Sequence, residues 1–361
     1  MINPVQKHYQ CYPYPNYPLF ASVRRCDTYA HNLQALWTRF NGRLPPHGAE
    51  KILIAGCGTF SPYPFSVANP DCTITALDIS KRSLDRARLH CLLHGRSNII
   101  YRCGDILDGK SIEGTFSLID SFGVLHHLED PLEGLKVLEK HLMPNGIIRI
   151  MLYSRYARRE EESIRHALRI LGIKTPSEAR KLLKEARPGS RLAHYLSVAD
   201  ETGTDSGIAD ALLHPCVKTY RIDELLDMIA RTGLQPLLFA HAGARENVHE
   251  EIDRIRLLEI ERSSPGNFVL YLGAAYSHAP KAGKESLLVL NPCLSVVTSR
   301  LILGSVHVPT RIGHANPPLG HRERRFLRLF TKPVIRSTLS SDLNEMVDIY
   351  KRRLFLLEYM P

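Results

Sequence analysis

At 361 residues the chain is longer than one average domain, and its 44% hydrophobic and 23% charged residues are ordinary globular usage, which excludes long disordered tracts. The amino-terminal MINPVQKHYQ lacks a basic stretch followed by an apolar run, and no segment reaches the roughly 18 uncharged apolar residues of a membrane span, so neither secretion nor a membrane partner is expected. The net charge of +10 admits a nucleic-acid partner. Yet the densest basic stretch, SRYARREEESIRHALRI, interleaves acids with its bases and sets Glu161 four residues before Arg165, the pattern of a solvated helix face. Cysteines at 11, 26, 57, 72, 91, 103, 216 and 293 form no C-x-x-C pair, which fits reduced thiols in a cytoplasmic enzyme better than disulfides or zinc.

Residues 1–47 open on the aromatic, proline-studded HYQCYPYPNYPLF, then place Leu33, Leu36, Trp37 and Phe40 at helical spacing and break at Pro45-Pro46-His47-Gly48. The reading is an extended arm plus one packing helix. From Lys51 short apolar runs alternate with amphipathic helices, the pattern of a parallel sheet covered on both faces. Strands are expected at 51–55, 73–77, 98–102, 116–120 and 147–152. One intervening helix is capped by Ser80, turns Leu84, Ala87, Cys91 and Leu92 inward and stops at Gly95. Another has Asp130 as cap, Pro131 in its first turn, Leu135, Leu138 and Leu142 inward, and Pro144-Asn145-Gly146 as its exit turn. A charged, helical insertion is expected over 153–218. A helix through Ile222, Leu225, Leu226 and Ile229 ends at Gly233, and apolar runs at 234–240 and 267–272 supply two further strands. The expected division is an arm and helix at 1–47, a main domain at 48–278 and a small α/β unit at 287–361, joined by a linker at 279–286 and ending in the helix SSDLNEMVDIYKRRLFLL.

The chemistry begins where the first strand runs into Gly56-Cys57-Gly58. Glycine permits a sharp turn and a close approach to a ligand, and a following helix start offers free N–H groups. Asp78 ends the second strand about 20 residues on, where a carboxylate can accept from both hydroxyls of a ribose. Asp105 stands just past the third strand, within reach of an adenine amino group or serving as a turn residue. A dinucleotide fingerprint wants a third glycine, and position 61 is serine, which favours a ligand without pyrophosphate.

AGCGTF, ALDIS, GDILD, LIDSFGVLHHLEDP and LMPNGIIRIMLYS, in this order and spacing, resemble the successive motifs of the class I S-adenosylmethionine-dependent methyltransferases. The resemblance is close over 51–152 and loose over 219–275. It implies a Rossmann-like, doubly wound α/β domain whose seven-stranded sheet has an antiparallel last strand, with S-adenosylmethionine across the carboxyl ends of the first, second and fourth strands. Carried over by position, Ala55, Gly56, Cys57 and Gly58 pass beneath the cofactor and Asp78 with Ile79 holds the ribose. Gly104, Asp105 and Ile106 flank the adenine, and Ser121 and Phe122 face the methionine end. Two positions depart from the pattern: relatives place an acid where this chain has Ile54, and many place a glycine at Phe60.

Methyl transfer is an in-line attack on an activated methyl, so the protein mainly positions and desolvates the reactants and removes a proton where needed. His126 and His127, at the exit of the fourth strand, are either a general base, with His127 the better placed, or a structural turn. Asp120-Ser121-Phe122-Gly123 lacks the Pro-Pro-aromatic run that the resemblance associates with base-amino or amide nitrogen methylation. A small-molecule or peptide acceptor is expected, bound between the arm at 1–20 and the insertion. The alternatives are an RNA methyltransferase using the basic surface and a non-catalytic cofactor-sensing or scaffold protein.

Overall fold

The computed structural model describes residues 3–274, 283, 285–302 and 304–361. The main sheet has seven strands in the order β3-β2-β1-β4-β5-β7-β6. They are β1 (Lys51–Ala55), β2 (Thr73–Asp78), β3 (Ile99–Cys103), β4 (Phe116–Phe122), β5 (Leu142–Leu152), β6 (Leu234–Phe239) and β7 (Phe268–Ala274). β1 to β5 pair in parallel and β7 is antiparallel to both neighbours, as the resemblance implies. β1 lies between β2 and β4, so the chain winds away from it in both directions. That reversal opens a crevice at the carboxyl ends of these strands.

Alternation along the strands divides the core into two layers. Ile52, Ile54, Ile74, Leu118 and Ile147 face one side, where Leu33, Leu36 and Trp37 of α2 (Leu33–Asn41) join them. Leu53, Ala55, Leu77, Ile119 and Ile148 face the other, against Leu135 and Leu138 of α5 (Pro131–Lys140) and Ile222, Leu225 and Ile229 of α10 (Ile222–Ala230). Truncating a leucine as enclosed as Leu135 or Leu138 to alanine costs about 2–5 kcal/mol. The insertion is helical: α6 (Arg159–Ile170), α7 (Pro176–Lys184), α8 (Arg191–Val198) and α9 (Asp205–Leu213). It has an apolar cluster of its own around Leu168, Leu183, Tyr195 and Leu212.

Several expectations need correction. The arm opens with a helix, α1 (Pro4–Cys11), because the Asn3 side chain accepts from the Val5 amide and Pro4 suits the first turn. In α4 (Lys81–Leu93), Leu84, Ala87 and Cys91 are buried but Leu92 is 70% exposed, since one residue beyond Cys91 turns about 100° around the helix. α5 stops at Lys140, and Leu142 already belongs to β5. Pro144-Asn145-Gly146 is a bulge inside that strand, where pairing jumps from Phe116↔Leu142 to Leu118↔Ile147 and Asn145 takes a φ of 61°.

The linker expected at 279–286 falls mostly outside the described residues. Beyond it, β8 (Leu287–Leu290), β9 (Val334–Ile335) and β10 (Leu356–Tyr359) form a three-stranded sheet in the order β10-β8-β9. The last helix, α13 (Ser341–Arg352), is shorter than the sequence suggests. Leu354 turns into the left-handed region, and the apolar run after it pairs with β8 as a strand. Leu290, Cys293, Phe355 and Leu356 pack in the same cluster as α2 and the main sheet, and the Asn291 side chain donates to the Tyr29 carbonyl.

Candidate active site

The crevice is floored by the turn from β1 into α3 (Pro62–Ala68). The amides of Gly56 and Cys57 both donate to the Leu77 carbonyl, at 2.8 and 2.9 Å, which ties the turn to the end of β2. Gly56 and Gly58 have φ of 79° and 56°. A Cβ at Gly56 would run into the Val124 methyls, and one at Gly58 would stand 2.6 Å from the Tyr14 carbonyl oxygen. Ala55 and Cys57 are buried beneath the turn.

Asp78 ends β2 with its carboxylate almost enclosed, and each oxygen accepts one backbone amide at 2.8 Å, Gly58 on Oδ2 and Ser80 on Oδ1. Burial outweighs those two donors and raises the carboxyl pKa to about 6. A carboxylate so poorly solvated, with lone pairs to spare, suits further hydroxyl donors. Ser80 caps α4 by accepting from Ser83, so Asp78 is not needed for that task. Ile79 follows, half-buried, and its carbonyl accepts from the Gln6 amide.

At the end of β3 the Gly104 amide donates to the Asp78 carbonyl. Asp105 accepts from the Leu107 amide on Oδ1 and from the Asn3 side chain on Oδ2, while Ile106 is buried. Ser121 and Phe122 end β4 on opposite faces. The Ser121 hydroxyl is buried with no hydrogen-bond partner, and the Phe122 ring is exposed with the Arg149 guanidinium 4.7 Å from its centre. Arg149 is held from behind by Asp120. Ile54 is in register with Asp120 and is buried in the apolar core. Phe60 packs against Tyr17 of the arm and against Tyr63 and His90.

His126 and His127 form a single 3-10 turn after β4, and both are buried. The His126 ring stacks on Tyr153 at 3.7 Å. His127 donates from Nδ1 to the Cys216 carbonyl at 2.8 Å. Burial lowers its pKa to about 3, so the ring is neutral at pH 7.

Sequence reading missed the residues that close this region. α1 lies over the crevice: Asn3 reaches Asp105, Gln6 reaches Ile79, and Ser80 donates to the Tyr9 carbonyl. The Tyr9 hydroxyl donates to Asp210 of the insertion at 2.8 Å, which joins arm and insertion directly. His214 packs on His127, His8 and Tyr9. The available signals were the aromatic density of HYQCYPYPNY and the lone histidine in LLHPC, neither of which names its partner.

Residues 53–148 match the family described as Methyltransferase domain. These residues carry a class I S-adenosylmethionine-dependent methyltransferase domain. The chain is an enzyme of that class, with S-adenosylmethionine as its cofactor. An uncharacterized protein of Synechococcus sp. is 27% identical over 97% of this methyltransferase and 91% of its own length. The ubiquinone biosynthesis O-methyltransferase of Vibrio parahaemolyticus is 26% identical over 50% of the chain and 74% of its own length. Among solved structures, PKMT2 from Rickettsia typhi in complex with AdoHcy shares the fold, with a TM-score of 0.58, 16% identity, and coverage of 95% of this chain and 77% of that one. Among the described residues no helix of the methyltransferase is long and apolar enough to cross a membrane.

Proposed function

We propose that the enzyme methylates a hydroxyl oxygen of a small-molecule or peptide acceptor held between the arm and the insertion. The observation that carries this reading is the junction of Tyr9, Asp210 and His127, which stands beside the Asp78 crevice and is built from three distant segments. The Vibrio parahaemolyticus relative is an O-methyltransferase, which supports oxygen as the acceptor atom. In this reading residues 48–278 carry the chemistry, 153–218 supply the acceptor wall, and the free cysteines fit a reducing cytoplasm.

The residues fit the cofactor. Gly56 and Gly58 leave a cradle that side chains would fill, Asp78 offers an underused carboxylate, and the buried Ser121 hydroxyl lacks a partner. Asp78 with Ile79 would hold the ribose, Gly104, Asp105 and Ile106 the adenine, and Ala55 to Gly58 with Ser121 and Phe122 the methionine end. When bound, S-adenosylmethionine supplies a methyl carbon already activated by its sulfonium. The protein's task is then to exclude water, align the acceptor oxygen and take its proton. His127 has the geometry for the last step, because its Nδ1–H is committed to Cys216 and Nε2 keeps its lone pair.

The test is methyl-labelled S-adenosylmethionine incubated with the enzyme and separate fractions of small metabolites, peptides and RNA. Label in a base-labile or ether-linked product of the first two supports the reading. Label in RNA, with binding that weakens steeply with salt, would replace it with the RNA alternative.

A further inference from the structure

His214 is buried just after α9, in Leu213-His214-Pro215-Cys216. Its ring centre lies 3.8 Å from that of His127, with the planes inclined by 34°. Cys216 fixes the protons of both rings. Its carbonyl can only accept, so the 2.8 Å contact with His127 Nδ1 makes that nitrogen the N–H and leaves the lone pair on Nε2. Its amide can only donate, so the 3.1 Å bond to His214 Nδ1 places the lone pair there and the proton on Nε2. The two neighbouring imidazoles are therefore opposite tautomers, one presenting an acceptor and the other a donor.

The His214 Nε2–H has no hydrogen-bond partner, and neither does His8 Nε2, whose ring packs 4.7 Å from that of His214. A buried donor without an acceptor is costly, and native proteins keep few of them. Burial holds both His127 and His214 neutral at pH 7, with the Arg165 guanidinium, which donates to the His214 carbonyl, acting in the same direction. Tyr9, Tyr153 and His126 pack against these rings, and Asp210 accepts from the Tyr9 hydroxyl. A hydroxyl matches one acceptor and one donor, because it can give a proton and accept on a lone pair. An ammonium has donors only and would leave the His214 N–H unmatched.

Resting on the O-methylation reading above, we propose that His127 and His214 together receive the acceptor hydroxyl. An oxygen lone pair forms the new bond to the methyl carbon and the carbon–sulfur bond breaks to leave the neutral thioether; the oxygen becomes strongly acidic as it is methylated, so His127 Nε2, a weak base in its buried setting, takes the hydroxyl proton in that step and becomes an imidazolium. His214 is a positioning residue: its Nε2–H holds the same oxygen through a second lone pair before transfer. The insertion thus contributes a specificity contact for hydroxyl over ammonium.

The full chain labelled with 15N-histidine tests this by long-range proton–nitrogen spectra at pH 7, with His127→Gln and His214→Gln assigning the signals. S-adenosylhomocysteine is added first, so that cofactor binding is read in the same sample. Phenol and benzyl alcohol then serve as hydroxyl probes, and their methyl ethers, which accept but cannot donate, as controls. The expected result is an Nδ1–H tautomer for His127 and an Nε2–H tautomer for His214. Hydroxyl probes should shift both rings and the ethers should shift His214 alone. His214→Phe should lose the His127 response to phenol, and His214→Gln, which keeps a donor near Nε2, should restore it. Like tautomers, or hydroxyl probes that move neither ring in a protein that binds S-adenosylhomocysteine, would overturn the pair. Failure to bind S-adenosylhomocysteine would instead overturn the cofactor assignment to the Asp78 crevice.

Discussion

Around Asp78 the crevice is made of main chain: two amides converge on one carboxylate, two more on the Leu77 carbonyl, and glycines keep the surface bare. Around His127 it is made of side chains from three segments, with Tyr9 and Asp210 201 residues apart in sequence. The first kind of site needs only a short stretch of chain with the right turn. The second exists only when arm, β4 turn and insertion are all folded together. The contrast teaches where changes should be felt: damage at the turn should strike the cofactor, and damage at the junction should strike the acceptor and the docking of the arm.

The largest effect is expected for Gly58→Val. A β-branched residue in the left-handed region costs about 1–2 kcal/mol, and its Cβ would stand 2.6 Å from the Tyr14 carbonyl oxygen, so the turn that floors the crevice must shift. S-adenosylmethionine affinity by calorimetry should fall by roughly a hundredfold or more, and an unchanged affinity would break the contrast at its stronger end.

The next effect is on stability against pH. Burial depresses His127 to about 3 and, with Arg165, His8 to about 4, while His126 and His214 shift in the same direction. Below pH 6.5 these histidines bind more protons in the unfolded chain than in the folded one, so the stability they contribute is full above that pH and is lost as pH falls towards 3. Asp78, raised to about 6, works in the opposite direction between pH 6 and 4. Comparing denaturant midpoints of the enzyme and His127→Asn isolates the one ring: the variant's loss should be shallower by up to about 1.4 kcal/mol per pH unit. Parallel curves would show that His127 is open to solvent.

Tyr9→Phe should cost least, about 1–2 kcal/mol for one hydrogen bond at the arm–insertion junction. Protease cleavage within residues 3–20 should quicken while cofactor affinity stays within about threefold. A larger loss of cofactor affinity would mean that the arm is part of the cofactor site itself.

The same contrast governs what could be read from the sequence. β1 begins and ends where the apolar run KILIA does, and the first glycine turn and Asp78 follow from spacing, because backbone turns and strand ends are local properties. Ile54 reads in sequence as a missing acid, and only the packing shows an apolar position enclosed between β2 and β4. α1 was hidden by the aromatic and proline content of the arm, although Asn3 and Pro4 are a legible helix start. His214 carries no local signal, since its meaning comes from Cys216, His127 and His8 meeting in space.

The most direct test is a calorimetric titration of S-adenosylmethionine into the wild-type enzyme, Asp78→Asn and His127→Asn. Asp78→Asn should weaken binding by about 1.5–3 kcal/mol, roughly ten- to hundredfold, through the loss of charge-assisted hydrogen bonds. His127→Asn should stay within about twofold of wild type. Equal losses in the two variants, or no loss in Asp78→Asn, would contradict a cofactor side built on Asp78 and an acceptor side built on His127.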